Sequence, residues 1–413
     1  CNAIQRIQEA IFDILSEISM IKNRILICLL LLIMIPCAVC QSYFTVPQNV
    51  WRVSISSKSM SGDWIGDNGL REVGKEEVAL LNHTDRFFEM DSSTIQGTLT
   101  ESRFRNAETI TSVFEYGFSE KSTFRLEIPY WTKYYENESW KWASEIENDT
   151  EFDTILDKIL DYYQPKSRYS SGFGDISIGM KFLLFGVPAW SAKGIYSAYA
   201  GFTVQIPSSR PLSQYKFTNE GRPSQFEEVT MGSGTTLWKF ALFGEFYKKT
   251  LERLFTINWF TELIFSSREV LNTPVFFPGL QETNPDSLAE RIGLTYFYKK
   301  GTGVRGELSG AFDLWPKRIT LKGTQSWYYK NQDQFISKDI DWDNRMSSND
   351  GYDTKQVQIS QSLVVYLNNL DQIKRIGPIP FIIEIGVKVP LLTRNKYNGF
   401  QKWIGFTTYY QWW

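Results

Sequence analysis

The chain has 413 residues, 44 Lys and Arg against 46 Asp and Glu for a formal net charge of −2, and 15% aromatic side chains. With no basic excess to neutralise a phosphate backbone, nucleic acid is excluded as a partner class. A mean hydropathy of −0.28 speaks against a helical membrane protein, and beyond residue 40 no apolar run approaches the roughly 20 residues a spanning helix needs.

In chain order, the first feature is "MIKNRILICLLLLIMIPCAVCQ": Lys22 and Arg24, an apolar run from Ile25 to Ile35, Pro36, and the small-residue pattern Ala38-Val39-Cys40. That is the layout of a secretory signal peptide. The expected division is residues 1–19 as a non-native upstream extension, since the first Met is Met20, 20–40 as the signal peptide, and 41–413 as a β-barrel. All four cysteines, Cys1, Cys28, Cys37 and Cys40, precede residue 41. The remainder is then no disulfide scaffold and holds no zinc-thiolate site.

From Val50 onward the dominant signal is alternation with period two, the pattern of a strand with two different faces. In "GDISIGMKF", Asp175, Ser177, Gly179 and Lys181 lie opposite Ile176, Ile178, Met180 and Phe182. In "GVRGELSGAFDL", Arg305, Glu307, Ser309 and Asp313 lie opposite Val304, Leu308, Phe312 and Leu314. Extending this gives about twelve strands, near 49–57, 109–118, 121–133, 172–185, 194–207, 232–247, 253–267, 288–300, 303–315, 354–368, 378–390 and 400–412. Most exceed the roughly 9 to 11 residues a tilted strand needs to cross a bilayer. Connections alternate between short ("SE", "KKTLE", "GT") and long (58–108, 134–171, 208–231, 268–287, 316–353). The expected fold is all-β: a transmembrane antiparallel up-and-down β-barrel of about twelve strands, with long extracellular loops and one short loop helix.

Strands cross lipid only when every backbone polar group is paired, so the sheet must close. A soluble barrel would alternate too, with the apolar face inward. Aromatics near strand ends on the apolar face (Trp51, Tyr116, Phe118, Phe124, Tyr130, Trp238, Phe246, Trp259, Phe265, Tyr296, Tyr298) favour lipid girdles instead. The terminal "IGFTTYYQWW" suits a membrane interface, where an apolar ring and its N–H or O–H are both satisfied. Whether Ile404, Phe406, Thr408, Tyr410 and Trp412 or the odd-numbered residues face lipid stays open, because Trp412 and Trp413 blur the phase.

Several stretches resemble one family. "ITSVFEYGFSEKSTFRLEIPYW", "GFGDISIGMKFLLF", "VQIPSSR", "MGSGTTLWKFALFGE" and "FFPGLQ", together spanning about 109–282, are similar in kind and order to motifs of outer-membrane barrels assigned to phenol-degradation pathways (MetA-type) and of a related uncharacterised family. The aromatic C-terminus resembles the signal that bacterial outer-membrane barrels present to the barrel-assembly machinery, with outer-membrane lipid around it; the family resemblance implies a Gram-negative outer-membrane location and passage of small or hydrophobic solutes. It implies no cofactor and supplies no catalytic residue. The 58–108 segment and the expanded loop after residue 316 depart from it.

With charged faces inward, the lumen would collect Arg52, Arg125, Lys181, Lys239, Arg291, Arg305 and Lys388 against Glu115, Glu127, Asp175, Glu245, Glu262, Glu307, Asp313 and Glu384. Tyr199, Phe260, Phe297 and Tyr366 would join them. Balanced signs favour ion-pair networks over single-ion selectivity, and twelve strands imply a narrow or obstructed interior. These charges either brace the barrel or line a solute path. In "FDTILDKILDYY", Phe152, Ile155, Leu156, Ile159, Leu160 and Tyr163 follow helical spacing, as a lid or as loop packing. "KDIDWDNRMSSNDGYD" gathers Asp339, Asp341, Asp343, Asn349, Asp350 and Asp353, oxygen ligands for Ca²⁺ but without an EF-hand's glycine and glutamate, so a solvated acidic loop is favoured and no metal is assigned. The single histidine, His83 in "LNHTD", has no nucleophile motif beside it, which argues against an enzyme. The expected function is a passive outer-membrane channel for small or hydrophobic solutes; the alternative is a non-transporting barrel whose loops serve adhesion, recognition or envelope structure.

Overall fold

The computed structural model describes residues 45–65, 71–73, 97–144, 167–188, 195–209, 231–250, 253–272, 290–347, 354–370 and 379–411. In chain order the elements are β1 (Val50–Ile65), β2 (Arg71–Val73), β3 (Gly97–Ser119), β4 (Ser122–Ser144), β5 (Ser167–Phe173), β6 (Ile176–Gly186), β7 (Tyr196–Ile206), β8 (Leu237–Thr250) and β9 (Arg253–Ser266). They continue with β10 (Glu269–Asn272), β11 (Thr295–Lys299), β12 (Gly303–Trp315), β13 (Ile319–Lys330), β14 (Gln334–Ile336), helix α1 (Ile340–Ser347), β15 (Gln356–Asn368), β16 (Phe381–Arg394), β17 (Lys396–Tyr397) and β18 (Phe400–Gln411).

Twelve of these strands form a closed antiparallel barrel. Neighbours follow chain order from β12 through β13, β15, β16 and β18, then β1, β3, β4, β6, β7, β8 and β9. Closure is made twice: β18 pairs along β1 from Val50↔Gln411 to Ser61↔Phe400, and β9 packs beside β12. One end carries the short connections at 120–121, 251–252 and 316–318, together with the start of β1 and the end of β18. The same end carries the links 187–195 and 369–380, and the other end carries the longest ones. Its single short link, 395–399, contains β17.

Direct cross-strand pairs put residues on the same face of a sheet, which fixes the phase of every strand. Outward positions carry exposed apolar side chains at mid-strand: Ile55, Ile110, Ile178, Phe240, Leu242, Leu263, Leu308, Leu363, Ile385 and Ile404. So broad an exposed apolar surface is that of a protein bathed in lipid. Aromatics border it. At the short-turn end Tyr410, Trp51, Tyr116 and Phe124 are successive direct partners, with Trp51 and Tyr116 rings 4.9 Å apart. At the far end Tyr130 meets Phe173 edge-on at 5.2 Å, and the Trp238 indole N–H donates to Ser267 Oγ at 3.0 Å. The phase of the last strand is settled: Tyr409 pairs with Arg52 on the inside, and Ile404, Phe406, Thr408 and Tyr410 are outward. Trp412 and Trp413 lie outside the described residues.

Two strand assignments need correction, and they cancel in the count. The segment expected at 288–300 is not a barrel strand. Its β11 joins β10 and β14 in a separate three-stranded sheet. The missing wall strand is β13, in the stretch expected as loop 316–353. The reason is visible in the side chains. β11 alternates as sharply as a barrel strand, because Tyr296 and Tyr298 cover one face of the small sheet and Phe297 the other. The outward face of β13 is interrupted by Gly323 and Gln325, which weakens its apolar period. β3 and β4 also run 23 residues each, so residues 97–108 continue the wall where a loop was expected.

In the small sheet, Tyr296 and Phe335 pack with Ile292 and Trp342 in a buried cluster under α1. Tyr296 is therefore core, not girdle, and Tyr298 packs against the same cluster. Phe297 is half exposed on the opposite face beneath the Arg268 guanidinium at 4.1 Å, not on the lumen wall. The acidic stretch after Ser337 has a structural use. Asp339 Oδ1 accepts the backbone N–H groups of Asp341 and Trp342 at 2.9 and 3.1 Å, capping α1. Asn349, Asp350, Asp353, His83 and the helix expected near 152–163 lie outside the described residues, as do residues 1–40.

Candidate functional site

The inward face is the candidate site. Along it run the direct pairs Arg52↔Glu115↔Arg125 and, on the next strands, Thr123↔Lys181 and Glu127↔Ser177. Lys239 faces Thr203, Glu245 faces Ser197 and Glu262 faces Ala241. Beyond the β9/β12 seam, Arg305, Glu307 and Asp313 face Tyr328, Ser326 and Thr320, while Glu384 and Lys388 face Tyr366 and Ser362. Asp175 lies in the bend before β6, buried on the same side. Arg291 does not join them. It sits in a helical turn at 290–292, outside the barrel strands, and its Nε donates to Asp339 Oδ2. Burial alone would raise the Asp339 carboxyl, but the Arg291 hydrogen bond and charge, together with the backbone N–H groups of Trp342 and Asp341, outweigh it and hold the group below its usual range.

The half of the lumen nearer the short turns is packed. Glu115, 2% exposed, accepts Arg52 Nε at 2.5 Å and Lys181 Nζ at 2.6 Å, and Arg125 Nη1 lies 3.3 Å away. Arg125 Nη2 also binds Glu127 at 2.5 Å. Five charged groups thus form one connected network, in which each cation meets a carboxylate and both Glu115 oxygens are engaged, as burial requires. Beside it Tyr199, Phe243 and Phe260 fill the interior, the first two stacked at 5.2 Å. Glu245 accepts the Ser197 and Tyr199 hydroxyls at 2.7 and 3.0 Å. The chain before β1 also enters this end: Val46 is buried and its N–H donates to Thr123 Oγ1 at 2.8 Å. Gly117 permits that approach, since a Cβ there would overlap the Val46 and Pro47 carbonyl oxygens.

The half nearer the long connections is built differently. Asp175 pins the strand-linking segment before β8, accepting Ser233 N–H and Oγ at 2.6 and 2.7 Å and Gln205 Nε2 at 2.9 Å. The 395–399 link folds inward: Gln358 Nε2 donates to the Tyr397 carbonyl at 3.3 Å, and the Arg105 guanidinium covers the Tyr397 ring at 3.6 Å. Lys396 Nζ sits 4.0 Å from the Tyr328 ring centre. Inward side chains here touch solvent, with Lys58 exposed and the Arg305 side chain 46% exposed although both point into the barrel.

Sequence reasoning missed Lys58, Lys322 and Lys396. Lys58 lies one residue past the expected end of the first strand, on the phase of Arg52, Ser54 and Ser56. Lys322 belongs to the overlooked β13, and Lys396 is inward only because its hairpin folds over.

With this geometry in hand, comparison with known proteins adds one informative likeness. No family model matches the chain, and no curated protein matches it in sequence. The COG4313 outer membrane channel from Pseudomonas putida F1 superposes with a TM-score of 0.51 at 9% identity, over 90% of this chain and 100% of that one. The fold is that of an outer-membrane β-barrel. The translocator domain of the autotransporter NalP from Neisseria meningitidis is more distant, with a TM-score of 0.35 at 9% identity over 87% of this chain and 88% of that one. A barrel that is closed, apolar outside and charged inside belongs in the outer membrane of a Gram-negative bacterium.

Proposed function

We propose that this barrel is a passive outer-membrane channel for small solutes. The observation that carries the reading is solvent contact inside the wall: Lys58 and Arg305 project inward and remain exposed. Buried lumen charges alone would brace a plugged cylinder, whereas wetted ones line a path. The ordered motifs across 109–282 support kinship with MetA-type barrels, and through it small hydrophobic compounds among the solutes. The aromatic row ending at Tyr410 supports outer-membrane lipid as surroundings and recognition of β18 by the barrel-assembly machinery. No catalytic role is assigned.

A second reading has its own observation. The Glu115 network, the Tyr199–Phe243–Phe260 stack and the inserted Val46 segment together obstruct the short-turn half, as suits a non-transporting barrel that displays its loops. Refolded protein in planar bilayers separates the two. Stepwise conductance and solute-dependent liposome swelling are expected for the channel; a silent bilayer and unswollen liposomes would favour the second.

A further inference from the structure

We infer that the long-connection half of the lumen holds a site for small anions, carboxylates or phosphates, formed by Lys58, Lys388 and Lys396 with Arg305 beside them. Its role in selecting solutes rests on the channel reading above. An ammonium group taken partly out of water needs a counter-charge. In the short-turn half Arg52, Arg125 and Lys181 each have a carboxylate. None of the ion pairs among the described residues includes Lys58, Lys388 or Lys396.

Their placement brings them together. Lys58 stands opposite Trp403 on β18, and Trp403 opposite Gly386 on β16. Lys388 therefore lies two strands over from Lys58 and two residues further toward the long connections, on the same face. Lys396 follows on the inward-folded link, over Tyr328, whose direct partner on β12 is Arg305. Lys388, Arg305, Lys300 and Lys58 all act on the Lys396 ammonium. The carboxylates facing this group are already engaged: Glu307 with Arg305 and Glu127 with Arg125, each at 2.5 Å. Among the described residues no carboxylate is paired with the three lysines, which leaves room for negative charge supplied from solution. Lysines hold it as point charges with three donors each, without the two-pronged grip of arginine, which suits an anion that must also leave. A wetted, one-signed patch inside a low-dielectric wall concentrates such ions.

The test uses the full refolded chain in planar bilayers under a potassium chloride gradient. Wild type is expected to pass chloride several times more readily than potassium. The variant Lys58→Gln/Lys388→Gln/Lys396→Gln moves the reversal potential toward zero, Lys58→Gln alone moves it part of the way, and Lys402→Gln on the outward face leaves it unchanged. A wild type without chloride preference, or a triple variant that retains it, would overturn the site. A barrel that passes no current tells against the channel reading only. The site is then read by inorganic phosphate in detergent, which should raise the melting temperature of wild type and not of the triple variant; no rise in wild type would overturn it.

Discussion

The two halves of the lumen use the same residue types to opposite ends. Near the short turns, Arg52, Arg125 and Lys181 converge on Glu115 and Glu127, with Arg52, Lys181 and Glu115 buried and the other two partly so. Near the long connections, Lys58, Lys388 and Lys396 crowd one another and touch water or aromatic rings. A charge that faces inward is therefore not one kind of feature. Partner and solvent decide whether it braces the wall or waits for a solute. In the braced half the cost of desolvation is offset by geometry, and removal of one member exposes the rest. In the wetted half Lys58 and Arg305 keep part of their hydration.

The sharpest way to break this contrast is Glu115→Ala. It leaves Arg52 and Lys181 buried without their shared carboxylate, and should destabilise the folded barrel by about 3 to 5 kcal/mol. The parallel change Lys58→Ala should stay within about 0.5 kcal/mol, as for an exposed group. Urea unfolding in lipid vesicles followed by tryptophan fluorescence measures both, and equal effects would erase the distinction between the halves. Next in size is the outer surface. Leu308 is exposed at mid-strand, between inward Glu307 and Ser309. Leu308→Arg should lose about 2 to 4 kcal/mol if that position meets mid-bilayer lipid, and an unchanged unfolding curve would place it outside the apolar band.

How much of this was legible before folding depends on range. Facing along one strand is local, because side chains alternate with period two. "GDISIGMKF" and "GVRGELSGAFDL" displayed it, and the lumen residues on them lie on the inward face. Membership of the wall is not local. β11 and β13 compete for one place, and the sharper pattern belongs to the strand that folds away, because a small sheet packed under Trp342 needs two distinct faces as much as a barrel does. Partition of the charges was hidden too. Glu115 meets Arg52 from 63 positions away and Lys181 from 66, and a tally of opposite signs along the sequence cannot say which ones meet. Balanced totals therefore suggested networks throughout the lumen, where the structure has a shared network in one half and, in the other, separate pairs such as Arg305 with Glu307 beside a run of lysines.

A smaller effect is expected outside the barrel. Asp339 caps α1, the helix that closes over Tyr296 and Phe335. Asp339→Ala should cost about 1 kcal/mol, and because Arg291 loses its partner as well, hydrogen exchange should quicken in 340–347 and 290–292 while the wall strands keep their protection. Spread of the change into β12 or β13 would mean that the small sheet is part of the barrel's cooperative core.

The finest distinction is one of pH. Lys396 lies on the 395–399 link, outside the membrane-crossing part of the wall. Burial first, and then the cations Lys388, Arg305, Lys300 and Lys58, push its ammonium down to about 7. The Tyr328 ring faces it from β13, and Arg105 covers its neighbour Tyr397. A lowered value means that the group is charged below that point and neutral above it. Raising the pH from about 6 to about 8 therefore removes one positive charge from the lysine wall, where an unperturbed lysine would keep it. Chloride preference should weaken across that window in wild type, weaken less in Lys396→Gln, and persist further to the alkaline side in Lys396→Arg, whose guanidinium does not lose its proton. A preference that strengthens with pH, or one that Lys396→Gln leaves as pH-dependent as before, would assign the titration to another group.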